Sequence, residues 1–468
     1  MNGLLTLLIL IVCALIVLAV PSLVSPESAE LGVVNLFDSG RAALLCAALA
    51  LIAAYVIMRQ PEDGQFLVRL FALGVLIRVI VATAIFVFQG QEFFGGDALT
   101  YDFLGAAQLQ AWGGDAYFRQ VINNHLGHNG GTSWGMVYLV AGVYAVVGRN
   151  ALSVQFVNAV LGAATAPIIY LCALHVFSNL RVARISALAV TFFPSLVLWS
   201  SQGLKDGPIV FFLALSVLAS LKLSRKFEVR YVVILIFSLF AVHSLRFYVF
   251  YMITVSVVGT TVVGTEKLTA LNFVRQFAVI LILGLAITYV GITRYATQLE
   301  HYSNLERIQI SRLDSARRGQ SGFAAQSDVS TSEGALSTIP IGLVYLLFAP
   351  FPWQLTSLRQ SITLPEMIIW WTSFPLLILG LWFSIKYRLR QISPILIFTV
   401  MLSLAYSVFQ GNVGNAYRQR SQLLVFYFIF IAVGYVLVSE KREESKRRQL
   451  LDPDPVPAQI AASTWSRR

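Results

Sequence analysis

Charge is what this sequence most lacks. Charged residues make up 12% of its 468 positions, against 57% hydrophobic. The apolar residues come in long runs, which excludes an ordinary soluble domain. Short alternating segments are missing too, which excludes an outer-membrane barrel. Cysteine is scarce: Cys13, Cys46 and Cys172 all fall inside apolar runs. No disulfide framework or cysteine metal site follows from them. No basic residue precedes the first run, Leu4 to Val20, and that run is long for a secretory signal. It reads as a retained first helix.

What is present is a series of apolar runs of bilayer length. They fall near 3–21, 42–58, 66–89, 151–177, 184–201, 206–223, 231–246, 247–265, 272–291, 366–385, 393–409 and 421–438. In lipid only a helix satisfies its own backbone over such a length. The expected fold is all-α, a polytopic bundle of about 12 spanning helices with partial ones near 133–148 and 338–350. The stretch 231–265 reads either as two short helices or as one long tilted helix.

The formal charge of +11 does not imply nucleic acid, because the basic residues sit in short loops rather than on a soluble face. Arg59, Arg69, Arg181, Arg184, Lys222, Arg225, Lys226, Arg230, Lys267, Arg275, Lys386, Arg388 and Arg390 alternate to one side, which places that side and both termini in the cytoplasm. The opposite loops, 22–40 and 90–132, are acidic or neutral. Residues 292–337 hold five basic and five acidic residues, so charge does not orient them. That stretch reads as a lid or as a plain connector. The end of the chain, 439–468, reads as a disordered cytoplasmic tail.

Polar residues gather at the ends of the runs on the non-cytoplasmic side. Gly95-Gly96-Asp97-Ala98-Leu99-Thr100-Tyr101-Asp102 follows the third run. A helix beginning near Asp97 makes that residue a cap and puts Tyr101 on the same face one turn later. Capping and catalysis both fit. Beyond it lie His125 and His128, in a loop long enough to be functional. Lys205-Asp206 opens another helix ahead of Pro208, where a cap, a local pair or a functional carboxylate are equally open. Arg246, Arg418 and Arg420 run against the orientation rule and therefore need a partner, either a phosphate or an outer carboxylate. Arg78, inside an apolar run, must face the bundle interior.

The outer Gly-Asp-x-x-x-Tyr element, the second outer aspartate some hundred residues on, and the arginines before the last helix together resemble the GT-C superfamily. Aminoarabinose transferases, protein O-mannosyltransferases and bacterial family 39-like proteins belong to it. The segment Phe348-Ala349-Pro350-Phe351-Pro352-Trp353 is similar to those of bacterial members. The likeness spans residues 66–438 as a catalytic domain, with 1–65 as two additional N-terminal helices.

The resemblance implies a glycosyltransferase that takes sugar from a polyprenyl-phosphate donor to a glycan, lipid or protein acceptor at a bacterial cytoplasmic (inner) membrane. Asp97 would be the general base, supported by Asp102 and Asp206. Tyr101, His125, His128, Lys205, Arg246, Arg418 and Arg420 would bind substrate. A divalent metal is an open question. Ala98 stands where many relatives carry glutamate, which removes a second carboxylate there. The competing classes are a polysaccharide polymerase or ligase, centred on arginine and histidine, and a transporter or flippase. A transporter should place its polar residues at mid-membrane in repeated broken helices; no repeat is visible here.

Overall fold

The computed structural model describes residues 36–88, 96–128, 133–263, 304–318, 328–355 and 358–451, together with Gly90, Phe93, Gly322 and Phe323. Among them the fold is all-α. The described helices are α1 (Leu36–Met58), α2 (Gly64–Val87), α3 (Asp97–Trp112), α4 (Ala116–His128), α5 (Trp134–Val147), α6 (Ala151–Phe177), α7 (Leu180–Phe192) and α8 (Pro194–Ser200). They continue as α9 (Asp206–Arg225), α10 (Val229–Leu245), α11 (Phe247–Val263), α12 (Leu305–Arg318), α13 (Ser332–Phe348), α14 (Leu358–Ser361), α15 (Leu364–Phe409) and α16 (Val413–Leu451).

Six of these are long and apolar enough to cross a membrane, or seven if the bent pair α7–α8 is one span. The expected runs 3–21 and 272–291 lie outside the described residues. The 231–265 stretch is two helices, separated where Arg246 takes an extended conformation (φ −154°, ψ 92°). The runs 366–385 and 393–409 join as α15. At 46 residues it is about 69 Å long, more than twice the hydrocarbon thickness. It breaks at Arg388 (φ −136°), between Lys386 and Arg390, so the basic turn expected there is present as a kink.

Local chemistry sets the ends of the central helices. Asn150 caps α6 by accepting from Leu152 N at 2.9 Å, and Asn179 caps α7 through Arg181 N and Val182 N. Phe193-Pro194 then bends the chain by 56° into α8, because proline cannot continue the preceding hydrogen-bond ladder. One correction concerns the tail. Residues 439–451, expected to be disordered, continue α16, and Arg181 pairs with Glu443 at 3.2 Å. Mixed charges at helical spacing tolerate a helix, and no proline occurs between Ser439 and Asp452.

Helix α6 is the hub, packing on α1, α2, α7 and α9. Its small residues Ala159, Ala163 and Ala166 are fully buried, which brings these neighbours close. Helices α15 and α16 approach most closely at Gly380 and Gly434, where any Cβ would collide with the other helix's carbonyls. The two ends of this bundle differ. At one, Asp63 binds Arg184 (2.6 and 2.7 Å) and Tyr170 (2.8 Å). The other end carries the candidate site.

Candidate active site

The site begins with a pinned turn. The Asn158 side chain on α6 donates to the carbonyls of Gln202 (2.7 Å) and Leu204 (2.8 Å), fixing the chain just before α9. That places Asp206 at the first turn of α9, where the helix dipole favours a carboxylate. Its side chain is fully buried and meets two arginines. Arg418, at the start of α16, donates from Nε at 2.6 Å, and Arg246 lies 3.4 Å from the other oxygen. The extended break at Arg246 turns its side chain inward, where it also reaches the Tyr406 hydroxyl at 3.4 Å. Tyr406 in turn donates to Gln422 at 2.9 Å.

Arg418 does not stop at Asp206. Its Nη1 donates to Asp97 at 2.7 Å, and its guanidinium lies 5.8 Å over the Trp199 ring. One planar fork therefore bridges the first turns of α3 and α9, a geometry that suits arginine and not lysine. The cluster is graded in exposure: Asp206 is 0% exposed, Arg418 13% and Asp97 58%. Asp97 stands at the mouth and Asp206 at the floor.

Lys205 and Tyr101 join the cluster on the α5 side. Lys205 Nζ hydrogen-bonds Ser133, the residue before α5, and the Tyr101 phenol interacts with the same hydroxyl. Burial first, and then the Arg246 charge, bring the Lys205 ammonium down to about 7. Burial pushes the Tyr101 phenol up to about 12.

Two other expected site residues point elsewhere. Asp102 faces Tyr144 and Arg149 (2.7 Å), because five residues of helix turn it about 140° from Asp97. Arg420 donates to the carbonyls of Leu347 (2.9 Å) and Ala349 (3.1 Å), closing the end of α13. His125 is on α4, which packs on α3, and burial lowers its pKa. The side chain of His128 lies outside the described residues.

Behind Asp206, toward the bundle interior, is a cavity of about 20 Å³ that includes Arg78, Thr165, Trp199, Ser200 and Ser421 in its wall. That is room for about one water. Arg78 donates to Ser200 Oγ (2.8 Å) and to the carbonyls of Gly74 and Thr191 (3.1 Å each). It thus anchors the residue that precedes the pinned turn.

Sequence reading missed Ser133, Asn158 and Tyr406. Asn158 and Tyr406 sit within apolar runs, and Ser133 sits in a glycine-rich stretch, so none stands out by type. As to a metal, no three His, Cys, Asp or Glu side chains converge among the described residues. The two carboxylates that do converge hold Arg418 between them, whose charge opposes a cation there.

Residues 136–263 match the family model of dolichyl-phosphate-mannose-protein mannosyltransferase. The match covers just over a quarter of the chain, and it supports a membrane glycosyltransferase of the GT-C type. The matched stretch runs from α5 through α11 and contains Lys205, Asp206 and Arg246. Asp97 and Arg418 come from outside it and complete the cluster. No curated protein matches the chain significantly.

Proposed function

We propose that this glycosyltransferase moves a sugar from a polyprenyl-phosphate donor to an acceptor on the non-cytoplasmic face of a bacterial cytoplasmic membrane. The observation that carries the reading is the Arg418 bridge, with buried Asp206 and Arg246 on one side and exposed Asp97 on the other. Departure of a lipid phosphate concentrates negative charge, and preorganised guanidinium groups in a water-poor site stabilise that charge strongly. Asp206 holds the two arginines in register and Arg418 faces the mouth. A donor phosphate entering there takes the place of Asp97 on Nη1, which frees that carboxylate to engage the acceptor.

The face follows from charge. The opposite end of the bundle carries Arg59, Arg181, Arg184, Arg225, Lys226 and Arg230, and this excess of basic residues supports a cytoplasmic orientation for it. Exposed apolar side chains on α1 and α15, such as Leu51, Ile52, Ile368 and Ile369, suit contact with lipid tails.

The test uses purified protein in lipid with radiolabelled polyprenyl-phosphate mannose. The parent should transfer or hydrolyse the sugar. Arg418→Gln should lower kcat/KM by about 10²- to 10³-fold, the usual effect of removing one such donor; Asp97→Asn should lower it as well. A folded Arg418→Gln variant with undiminished turnover sinks the phosphate assignment.

A further inference from the structure

When a donor phosphate displaces Asp97 from Arg418 Nη1, the arginine loses one of its holders. Two remain: Asp206, which accepts from Nε at 2.6 Å, and the Trp199 ring, 5.8 Å below the guanidinium. The carboxylate fixes one edge of the fork. The ring fixes its plane, because a cation is drawn to the face of an indole. How Trp199 is held therefore bears on where the fork points as the phosphate leaves.

Trp199 and Arg418 stand on different helices, α8 and α16, and a single carboxylate joins the two. Glu366, in the first turn of α15, accepts at Oε2 from Ser195 N at 2.7 Å and from the Tyr417 hydroxyl at 2.9 Å. Ser195 is four residues before Trp199 on α8, so the two share a face of that helix. Tyr417 is the residue before Arg418 on α16, and its ring meets the Trp199 ring edge-on, with 6.3 Å between centres. The indole N–H of Trp199 has no partner among the described residues, so the tilt of its ring is set by packing, Tyr417 included.

Glu366 is an odd residue for that place. It is 3% exposed, and its Oε1 has no hydrogen-bond partner among the described residues. A buried carboxylate with a bare oxygen is costly, so packing alone does not account for it. The charge that balances it is that of Arg420, whose guanidinium lies 5.1 Å over the Tyr417 ring while its Nη1 donates to the carbonyls of Leu347 and Ala349. Tyr417 is thus gripped at its hydroxyl by Glu366 and at its ring by Arg420.

We propose that Glu366 is a positioning residue of the transfer. By holding Ser195 N and the Tyr417 hydroxyl on one oxygen, it seats Trp199 against Arg418 and keeps the guanidinium facing the phosphate after Asp97 has let go. This rests on the glycosyl-transfer reading above. Glu366 acts only through its neighbours: Asp97 keeps its role at the acceptor, and Arg418 its role at the phosphate. Its contribution is made as charge builds on the departing phosphate oxygen, and so falls on kcat rather than on donor KM.

The test is steady-state turnover of radiolabelled polyprenyl-phosphate mannose by the intact protein in lipid nanodiscs. Tyr417→Phe is the probe, since it removes the hydroxyl that Glu366 holds and leaves the ring. It should lower kcat about 10- to 100-fold, as a slight misplacement of a catalytic group does, with donor KM and thermal midpoint close to the parent. Glu366→Met should lose as much, whereas Glu366→Gln, whose amide oxygen can still accept both hydrogen bonds, should stay close to the parent. In an Arg418→Gln background the same Tyr417→Phe change should cost less than about 2-fold more, because the two residues act as a unit. A merely structural bond predicts a lowered midpoint with kcat per folded molecule intact, or a loss that multiplies fully with that of Arg418→Gln. Either result overturns the positioning role and leaves the transferase reading intact. A parent that turns over no lipid-phosphate sugar removes both.

Discussion

Replacing Arg418 by glutamine separates the two jobs of that side chain. The Asp206 half of the bridge is buried, with 0% and 13% side-chain exposure at 2.6 Å, whereas Asp97 is 58% exposed at 2.7 Å. Removing one partner of a buried ion pair costs about 3–5 kcal/mol, because the charge left behind has lost its compensation. Here Arg246 remains 3.4 Å from Asp206, so the lower end, about 3 kcal/mol, is expected. An exposed pair contributes only about 0.2–1 kcal/mol, so Asp97→Asn should barely move stability. The assay is unfolding of the purified protein in mixed micelles by added SDS, run as a double-mutant cycle. Asp206→Asn with Arg418→Gln should be less damaging than the sum of the singles, with a coupling of about 2 kcal/mol. Equal losses for Asp97→Asn and Asp206→Asn, or a coupling under about 0.5 kcal/mol, would refute the graded burial of this cluster.

Two further outcomes concern the surroundings of the site. Arg184 and Tyr170 hold the Asp63 carboxyl below its ordinary 3.8. Its contribution is therefore complete at neutral pH and is lost as pH falls below that value. Parent and Asp63→Asn should differ by about 1 kcal/mol at pH 7, since Arg184 is half exposed, and the difference should shrink as pH falls below 3.8; a gap that does not shrink contradicts the pairing. Gly135→Ala drives a methyl into Ser244 and should cost about 1–3 kcal/mol. Ser244→Gly in the same chain should restore the thermal midpoint, and failure to do so would place the strain elsewhere.

Much of the fold was legible because the bilayer is a demanding solvent. A run near 20 residues with almost no charge has one stable form there, so α1, α2, α6, α9 and the last helix could be read from hydropathy alone. Even the basic turn near Arg388 was visible, though as a loop rather than a kink. The candidate site was legible only as a set of misplaced charges. Outer arginines needed a partner, and the alternatives were a phosphate and a carboxylate. The structure supplies the carboxylates and, in Arg418, one side chain spanning two of them.

What the sequence could not decide is which polar residue turns which way. Arg418 and Arg420 are two residues apart on one helix, about 200° in rotation, so one enters the cluster and the other closes the end of α13. Asp97 and Asp102 divide in the same manner. Ser133 carried no signal, because its contact is with a lysine 72 residues later in the chain. Hydropathy was enough for the long apolar helices and the inventory of charges, since those follow from transfer between water and lipid. Tertiary packing alone decided the pairings: rotation about each helix axis and the break at Arg246 set which charges meet at short range, where an electrostatic interaction is strong enough to build a site.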